Sequence, residues 1–223
     1  MAVTLAFDVY GTLIDTQGLV ATLRDMVGDK AAEFSRAWRE RQLEYTFRRA
    51  LMQNYAPLSI CTAQALDHTS ARYQTPLSPD QRTTLLEGYR TLPAFGDVAD
   101  GLAQLRAAGF RLYAFSNGTA EAVRTLLDTT GVTDLFLDIV STDDLRSFKP
   151  NPAVYSHFLR TAGATGAETW LVSSNPFDVI GALSAGWRAA WVKRSPEALF
   201  DPWGIPPTVT VPDLRHLAAA IAG

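Results

Sequence analysis

The run Val3-Thr4-Leu5-Ala6-Phe7-Asp8-Val9-Tyr10-Gly11-Thr12-Leu13 joins a short apolar stretch to an acid, with a glycine three residues beyond it. Val3 to Val9 has the length and the β-branched and aromatic content of a strand buried on both faces. Gly11 permits the unusual backbone angle of a tight turn, and Thr12 brings a hydroxyl near the carboxylate. Asp8 would then stand at the carboxyl end of a strand, where α/β sheets bind their ligands. Alone, such an acid could equally cap a turn or a helix.

Similar apolar runs recur at Arg111 to Ser116, Leu137 to Ser141, Thr169 to Ser173 and Arg188 to Lys193, with a last short one at Thr208 to Val211. Amphipathic stretches alternate with them at Val98 to Ala108, Thr119 to Thr130, Pro152 to Ala162, Asp178 to Ala185 and Pro212 to Ile221. This alternation predicts an α/β fold, a Rossmann-like parallel sheet core with helices on both faces. Between Thr16 and Thr91 the rhythm breaks and the patterning is helical. Trp38, Gln42, Tyr45, Arg49 and Met52 recur at helical steps within Arg36 to Met52, and Ile60 to Tyr73 and Pro79 to Arg90 follow. The expected organisation is a core from residues 1–15 and 92–223 and a helical cap, residues 16–91, inserted after the first strand.

Composition narrows the partners. Hydrophobic residues make up 47% and charged residues 19% of the 223, enough for a real core, and the net charge of -3 with no long basic run argues against nucleic acid. The single cysteine, Cys61, permits neither an internal disulfide nor a cysteine metal cluster. No secretory pattern or long apolar run is visible, so a soluble, cytoplasmic protein with no membrane partner is expected.

Three further polar clusters fall at or beyond strand ends. Ser116-Asn117-Gly118-Thr119 offers a hydroxyl, an amide and free backbone N–H groups for an anion, or simply caps a helix. Lys149-Pro150 lies in a loop, where an ordinary surface lysine is the plain alternative. Ser173-Ser174-Asn175-Pro176-Phe177-Asp178 brings small polar groups and a second carboxylate to the same sheet edge. With Asp8 these clusters form one constellation.

Those segments resemble the four motifs of the haloacid dehalogenase superfamily, in order and spacing, over essentially the whole chain. Trp38-Arg39-Glu40-Arg41-Gln42-Leu43-Glu44-Tyr45, together with Ser173-Ser174-Asn175 in place of an acidic pair, resembles the L-2-haloacid dehalogenase subfamily. Glu40, Arg41 and Pro176 depart from the subfamily pattern. Most superfamily members are magnesium phosphatases with a second acid two positions after the nucleophile, which protonates a poor leaving group. Here that position is Tyr10, and the position that usually supplies a metal-binding acid is Ser174. Halide needs no proton to leave, and with the acidic set reduced to Asp8 and Asp178 neither a metal nor another cofactor is expected.

The resemblance implies that Asp8 attacks the halogen-bearing carbon of a small 2-haloalkanoate to form an ester, and that water then cleaves the ester at the aspartyl carbonyl. One inversion occurs, so an (S)-2-haloacid gives an (R)-2-hydroxy acid. Arg39 is expected to receive halide, Ser116 and the N–H of Asn117 to hold the substrate carboxylate, and Lys149 to offset the negative charges. Thr12, Ser173 and Asn175 would position Asp8, Asp178 would activate water, and Tyr155 would support the site or serve core packing. Tyr10, Leu43 and Phe177 would wall the apolar part of the substrate. His68, His157 and His216 lie outside the motifs. The resemblance also implies a homodimer. Two other readings share the scaffold: a phosphatase or other hydrolase, and a catalytically silent binding protein.

Overall fold

The computed structural model describes residues 3–222. Strand β1 (Thr4–Phe7) is followed by helices α1 (Val20–Val27), α2 (Ala31–Leu51), α3 (Leu58–Tyr73) and α4 (Pro79–Gly88). Helix and strand then alternate through α5 (Val98–Ala107), β2 (Arg111–Ser116), α6 (Ala120–Thr129), β3 (Asp138–Ser141), α7 (Pro152–Ala162), β4 (Thr169–Ser173), α8 (Pro176–Ser184) and β5 (Arg188–Val192). Strand β6 (Val209–Val211) and helix α9 (Leu217–Ala222) close the described chain.

All strands pair in parallel, in the order β3-β2-β1-β4-β5-β6. The order turns at β1, since the chain runs outward to β2 and β3 and then crosses back to β4. A crevice opens beyond the strand ends at such a reversal. Phe7 is in register with Ala114 of β2 and Val172 of β4, so Asp8 emerges level with the carboxyl-terminal ends of both neighbours.

Both faces of the sheet are covered, which explains why its strands read as continuous apolar runs. Leu5, Phe7, Leu112, Ala114, Trp170 and Val172 point to the side of α5, α6 and α9. Ala6, Tyr113, Phe115 and Leu171 point to the side of α7 and α8. The inserted helices are tied into the first of these cores through Phe34, Trp38, Leu66 and Leu85. Ser78 starts α4 with a capping box, accepting from Gln81 N while Gln81 Oε1 accepts from Ser78 N.

Several element bounds differ from the sequence expectation. Helix α1 was not expected as a separate element; only Leu23 in it is buried, too weak a stripe to read. Helix α2 begins at Ala31, and its buried face runs through Phe34, Ser35, Trp38, Gln42 and Thr46. The expected stripe is therefore correct at Trp38 and Gln42 but drifts off the core. Met52 lies past the helix end and is 63% exposed, so it does not continue that face. The helix expected over Pro212 to Ile221 is shorter, because Asp213 caps a 3₁₀ turn, Leu214–His216, ahead of α9.

Replacing the fully buried Leu66 with Ala opens a cavity between the inserted helices and the core. The expected loss is about 2–5 kcal/mol, read in urea unfolding as a lower midpoint with an unchanged slope.

Candidate active site

Asp8 follows β1, and its carboxylate is held asymmetrically. Oδ2 accepts from Thr12 Oγ1 at 2.7 Å, Asn175 Nδ2 at 2.7 Å and Ser173 Oγ at 3.2 Å. Oδ1 accepts from Lys149 Nζ at 2.8 Å. The turn that brings Thr12 back over Asp8 needs Gly11 at φ +88°. Thr12 is fixed in turn, since its hydroxyl accepts from Ser174 N at 2.9 Å.

Lys149 is 1% exposed. Its ammonium donates to Asp8 Oδ1, to Asp178 Oδ2 at 2.6 Å and to the Phe115 carbonyl at 3.0 Å, which uses all three of its protons. The ring of Phe115 lies beneath it, 4.8 Å from the nitrogen. Asp178 sits in the first turn of α8, where the helix dipole favours an anion, and its Oδ1 accepts from Tyr155 Oη at 2.8 Å. Tyr155 reaches it past Gly181, where any side chain would overlap the phenol.

One ammonium thus serves two carboxylates of unequal character. Burial works to raise the pKa of Asp8, but the charge and hydrogen bond of Lys149, with Thr12 and Arg39, win and hold it below the ordinary value. Asp178 is pushed up to about 6 by burial and by the neighbouring Asp8 charge, which Lys149 and Tyr155 only partly offset. Burial opposes the charged form of Lys149, yet the two carboxylates keep its pKa above normal.

From α2, Arg39 donates to the Tyr10 carbonyl at 3.2 Å, which also accepts from Asn175 Nδ2 at 3.2 Å. The Tyr10 ring stacks on Tyr89, centroids 5.9 Å apart, and borders a cavity of about 450 Å³ shared with Leu58, Gly118 and Thr119. Asp8 does not line that cavity. Burial raises the Tyr10 phenol well above its ordinary range, so it stays protonated.

The chain matches the haloacid dehalogenase-like hydrolase family over residues 3–186. It is 34% identical over 218 residues to haloacetate dehalogenase H-2 of Moraxella sp. (strain B), covering 98% of this chain and 97% of the relative. It is 32% identical to the (S)-2-haloacid dehalogenase of Pseudomonas sp. (strain YL), covering 95% and 90%. The solved L-2-haloacid dehalogenase from Xanthobacter autotrophicus with chloropropionic acid covalently bound superimposes with a TM-score of 0.92 at 30% identity, covering 100% and 99%. The chain belongs to the haloacid dehalogenase superfamily, in its L-2-haloacid dehalogenase subfamily.

Of the residues expected from sequence, Asp8, Thr12, Lys149, Tyr155, Ser173, Asn175 and Asp178 form one continuous hydrogen-bonded cluster. Arg39 joins it through the Tyr10 carbonyl. Asn117 joins through its side chain, whose Oδ1 accepts from Lys149 N at 2.8 Å and from Thr142 Oγ1 at 3.2 Å. Ser116 is fully buried, its Oγ accepting from Gly118 N at 3.0 Å. Leu43 is half-buried one turn after Arg39, and Phe177 meets Phe47 of α2 edge-to-face at 4.9 Å. In this dehalogenase-family site, Lys149 is the opposite of a surface lysine.

Sequence reasoning missed three supports. Ser174 stood only for a missing acid, yet its N–H and hydroxyl bind Thr12 and the Gly11 carbonyl. Arg194, just beyond β5, donates from Nε and Nη2 to the Thr12 carbonyl at 3.1 and 2.6 Å and pairs with Asp97 at 2.6 Å. Its place after a strand end was the available signal. Gln42 was read as one position in a helical stripe, although a polar side chain on a buried face needs partners.

Lys149→Met would leave two buried carboxylates facing each other. The expected destabilisation at neutral pH is about 3–5 kcal/mol. Without the ammonium both folded-state pKa values rise, so part of the loss is regained as pH falls toward 5 and the pair takes up a proton. Urea unfolding at pH 7 and pH 5 checks both the size and this direction.

Proposed function

We propose that the protein hydrolyses small (S)-2-haloacids to (R)-2-hydroxy acids and halide through an ester on Asp8, without a metal. The asymmetry of Asp8 carries this reading. Oδ2 already accepts from Thr12, Ser173 and Asn175, whereas Oδ1 has Lys149 alone and keeps electron density for attack. In the first step Oδ1 bonds to C2 of the substrate from behind while the carbon–halogen bond breaks and its electron pair leaves with halide. Arg39 stabilises the departing anion, and Ser116 with the Asn117 N–H takes the substrate carboxylate.

Oδ2 then becomes the ester carbonyl oxygen. When water adds to Cγ, negative charge develops on Oδ2, where three donors are already aimed, so they act as an oxyanion hole. Asp178 takes the proton from water. Collapse of the intermediate breaks Cγ–Oδ1, the acyl side of the ester, so Oδ1 leaves on C2 as an alkoxide that takes the proton held by Asp178. The net reaction is haloacid plus water to hydroxy acid, halide and a proton, and one Asp8 oxygen now comes from water.

The metal-free part of the proposal is supported by Lys149, whose ammonium holds both carboxylates at hydrogen-bond distance and would repel a second cation. Among the described residues no three His, Cys, Asp or Glu side chains cluster as metal ligands. A phosphatase reading is disfavoured by the absence of a second acid at Tyr10 and by this cation arrangement. No described helix is long and apolar enough to cross a membrane, and a cytoplasmic location is part of the proposal, as is the absence of a nucleic-acid partner. The exposed Leu51, Met52 and Ile60 near the α2–α3 connection support a homodimer.

Halide release from (S)-2-chloropropionate in the presence of chelator is the direct test. The wild type should turn over and Asp8→Ala should not; Asp8→Asn serves only alongside it, because slow conversion of Asn to Asp restores the nucleophile. Turnover in oxygen-labelled water should place label in Asp8. An Ala variant that still releases halide overturns the mechanism.

The second step should show an acid limb. Asp178 must be ionised to accept a proton, so ester hydrolysis slows as pH falls through its pKa of about 6 or below. The limb moves below 6 in the intermediate, because esterification removes the Asp8 charge that helps to raise Asp178 and leaves Lys149 to it alone. Asp178→Asn should abolish the limb and accumulate ester, seen by mass spectrometry of the Asp8 peptide.

A further inference from the structure

Gln42 is a fully buried amide on α2, and every polar atom of its side chain is engaged. Oε1 accepts from Arg39 Nη1 and from Tyr89 Oη at 3.0 Å. Nε2 donates to Thr62 Oγ1, which itself donates to the Leu58 carbonyl at 2.8 Å. Because the Thr62 proton is committed to Leu58, its oxygen can only accept from Gln42. The amide is thereby locked with its oxygen toward Arg39 and cannot flip without breaking this chain.

The guanidinium it holds has five N–H groups. One goes to Gln42 and one to the Tyr10 carbonyl; among the described residues the other three have no protein acceptor and are left for an anion. Gln42 fixes which way those three point, and being neutral it does so without cancelling the charge of Arg39. A carboxylate at the same place would hold Arg39 equally well but neutralise it.

We propose that Gln42 is a positioning residue that sets halogen selectivity, by holding Arg39 neutral-anchored and fully charged toward the leaving halide. This rests on the proposed reaction and on Arg39 as its halide acceptor. Chloride leaves less readily than bromide and carries a more concentrated charge, so its departure depends more on that guanidinium. Disturbing Gln42 therefore penalises chloro substrates more than bromo ones. A residue needed only for cap packing would slow both alike.

The experiment compares kcat/KM for (S)-2-chloropropionate and (S)-2-bromopropionate. The two give the same ester, and kcat/KM reports steps up to halide loss, so later events cancel in the ratio. Gln42→Glu and Gln42→Met should each lower the chloro-to-bromo ratio by at least about threefold, the worth of one hydrogen bond. Thr62→Val, which frees the amide to turn, should shift it the same way by less. A ratio unchanged in both Gln42 variants, whatever their common loss of rate, overturns the proposal. Should circular dichroism show either Gln42 variant unfolded, Thr62→Val and Tyr89→Phe decide, and an unchanged ratio in both overturns it as well. Arg39→Lys separates the two levels. If it moves the ratio while the Gln42 variants do not, Gln42 alone is refuted; if it leaves both rate and ratio at wild type, Arg39 is not the halide acceptor and the reaction scheme fails with it.

Discussion

The site is built around one buried positive charge. Taking an ammonium out of water costs several kcal/mol or more, and Lys149 is tolerated inside the sheet edge only because Asp8, Asp178 and the Phe115 carbonyl accept all of its protons. That geometry in turn dictates where everything else stands. Its backbone N–H is pinned by Asn117 from the end of β2, and Asn151 caps α7 two residues on, accepting from Ala153 N, so the ammonium is aimed from two fixed points. A compact cation shared by two carboxylates keeps both ionisable at neutral pH yet leaves them chemically different, because only their other partners distinguish them.

Those other partners divide the labour. Beyond Lys149, Asp8 has the Thr12 hydroxyl and the charge of Arg39 to favour its charged form, whereas Asp178 has the Tyr155 phenol to favour it and the like charge of Asp8 to oppose it. The consequence is an Asp8 carboxylate that stays deprotonated beside Asp178, whose pKa of about 6 lies near the range where a base is useful. The donors on Asp8 are themselves fixed from behind, with Ser174 holding the Thr12 hydroxyl and Arg194 the Thr12 carbonyl. Arg194 is anchored by Asp97, whose second oxygen takes the Leu214 N–H, so the turn after β1 is tied to the end of β5 and to the 3₁₀ turn before α9. Asp8 is therefore placed by the core's tertiary packing and not by its own loop alone.

The strands were legible because burial on both faces writes itself as apolar runs, and strand ends were legible because polar residues collect there. Pro152 and Asn151 announced α7, and Ser78-Pro79 announced α4, since caps leave a local trace. Helix α1 left none, as a single buried leucine makes no stripe. The start of α2 was hidden for another reason: Ala31, Phe34 and Ser35 bury a mixed face that no apolar period marks. In the site, residues touching Asp8 directly were legible through the motifs, whereas Gln42 and Arg194, which act at one remove, depend on contacts between segments far apart in sequence.

The inserted helices meet the core through links that bear on the Asp8–Lys149–Asp178 cluster. Tyr55, after α2, hydrogen-bonds Asp143 and packs at a tilt against Phe148 with ring centroids 5.1 Å apart, next to Lys149. Phe47 packs on Phe177 beside Asp178, and Tyr89 stacks on Tyr10. Most telling is the Tyr10 carbonyl, which accepts from Arg39 of the cap and from Asn175 of the core at the same distance of 3.2 Å. Asn175 also holds Asp8 Oδ2, so one backbone oxygen registers the group proposed to receive halide against the group that orients Asp8, the proposed nucleophile. Back-side displacement requires nucleophile, carbon and leaving group in line, and an error of 1 Å is costly at about 10²-fold in rate. A cap joined to the core only by apolar surface could slide by that much. One tied to the turn after Asp8 cannot do so without breaking a hydrogen bond that the cluster around Asp8 itself uses.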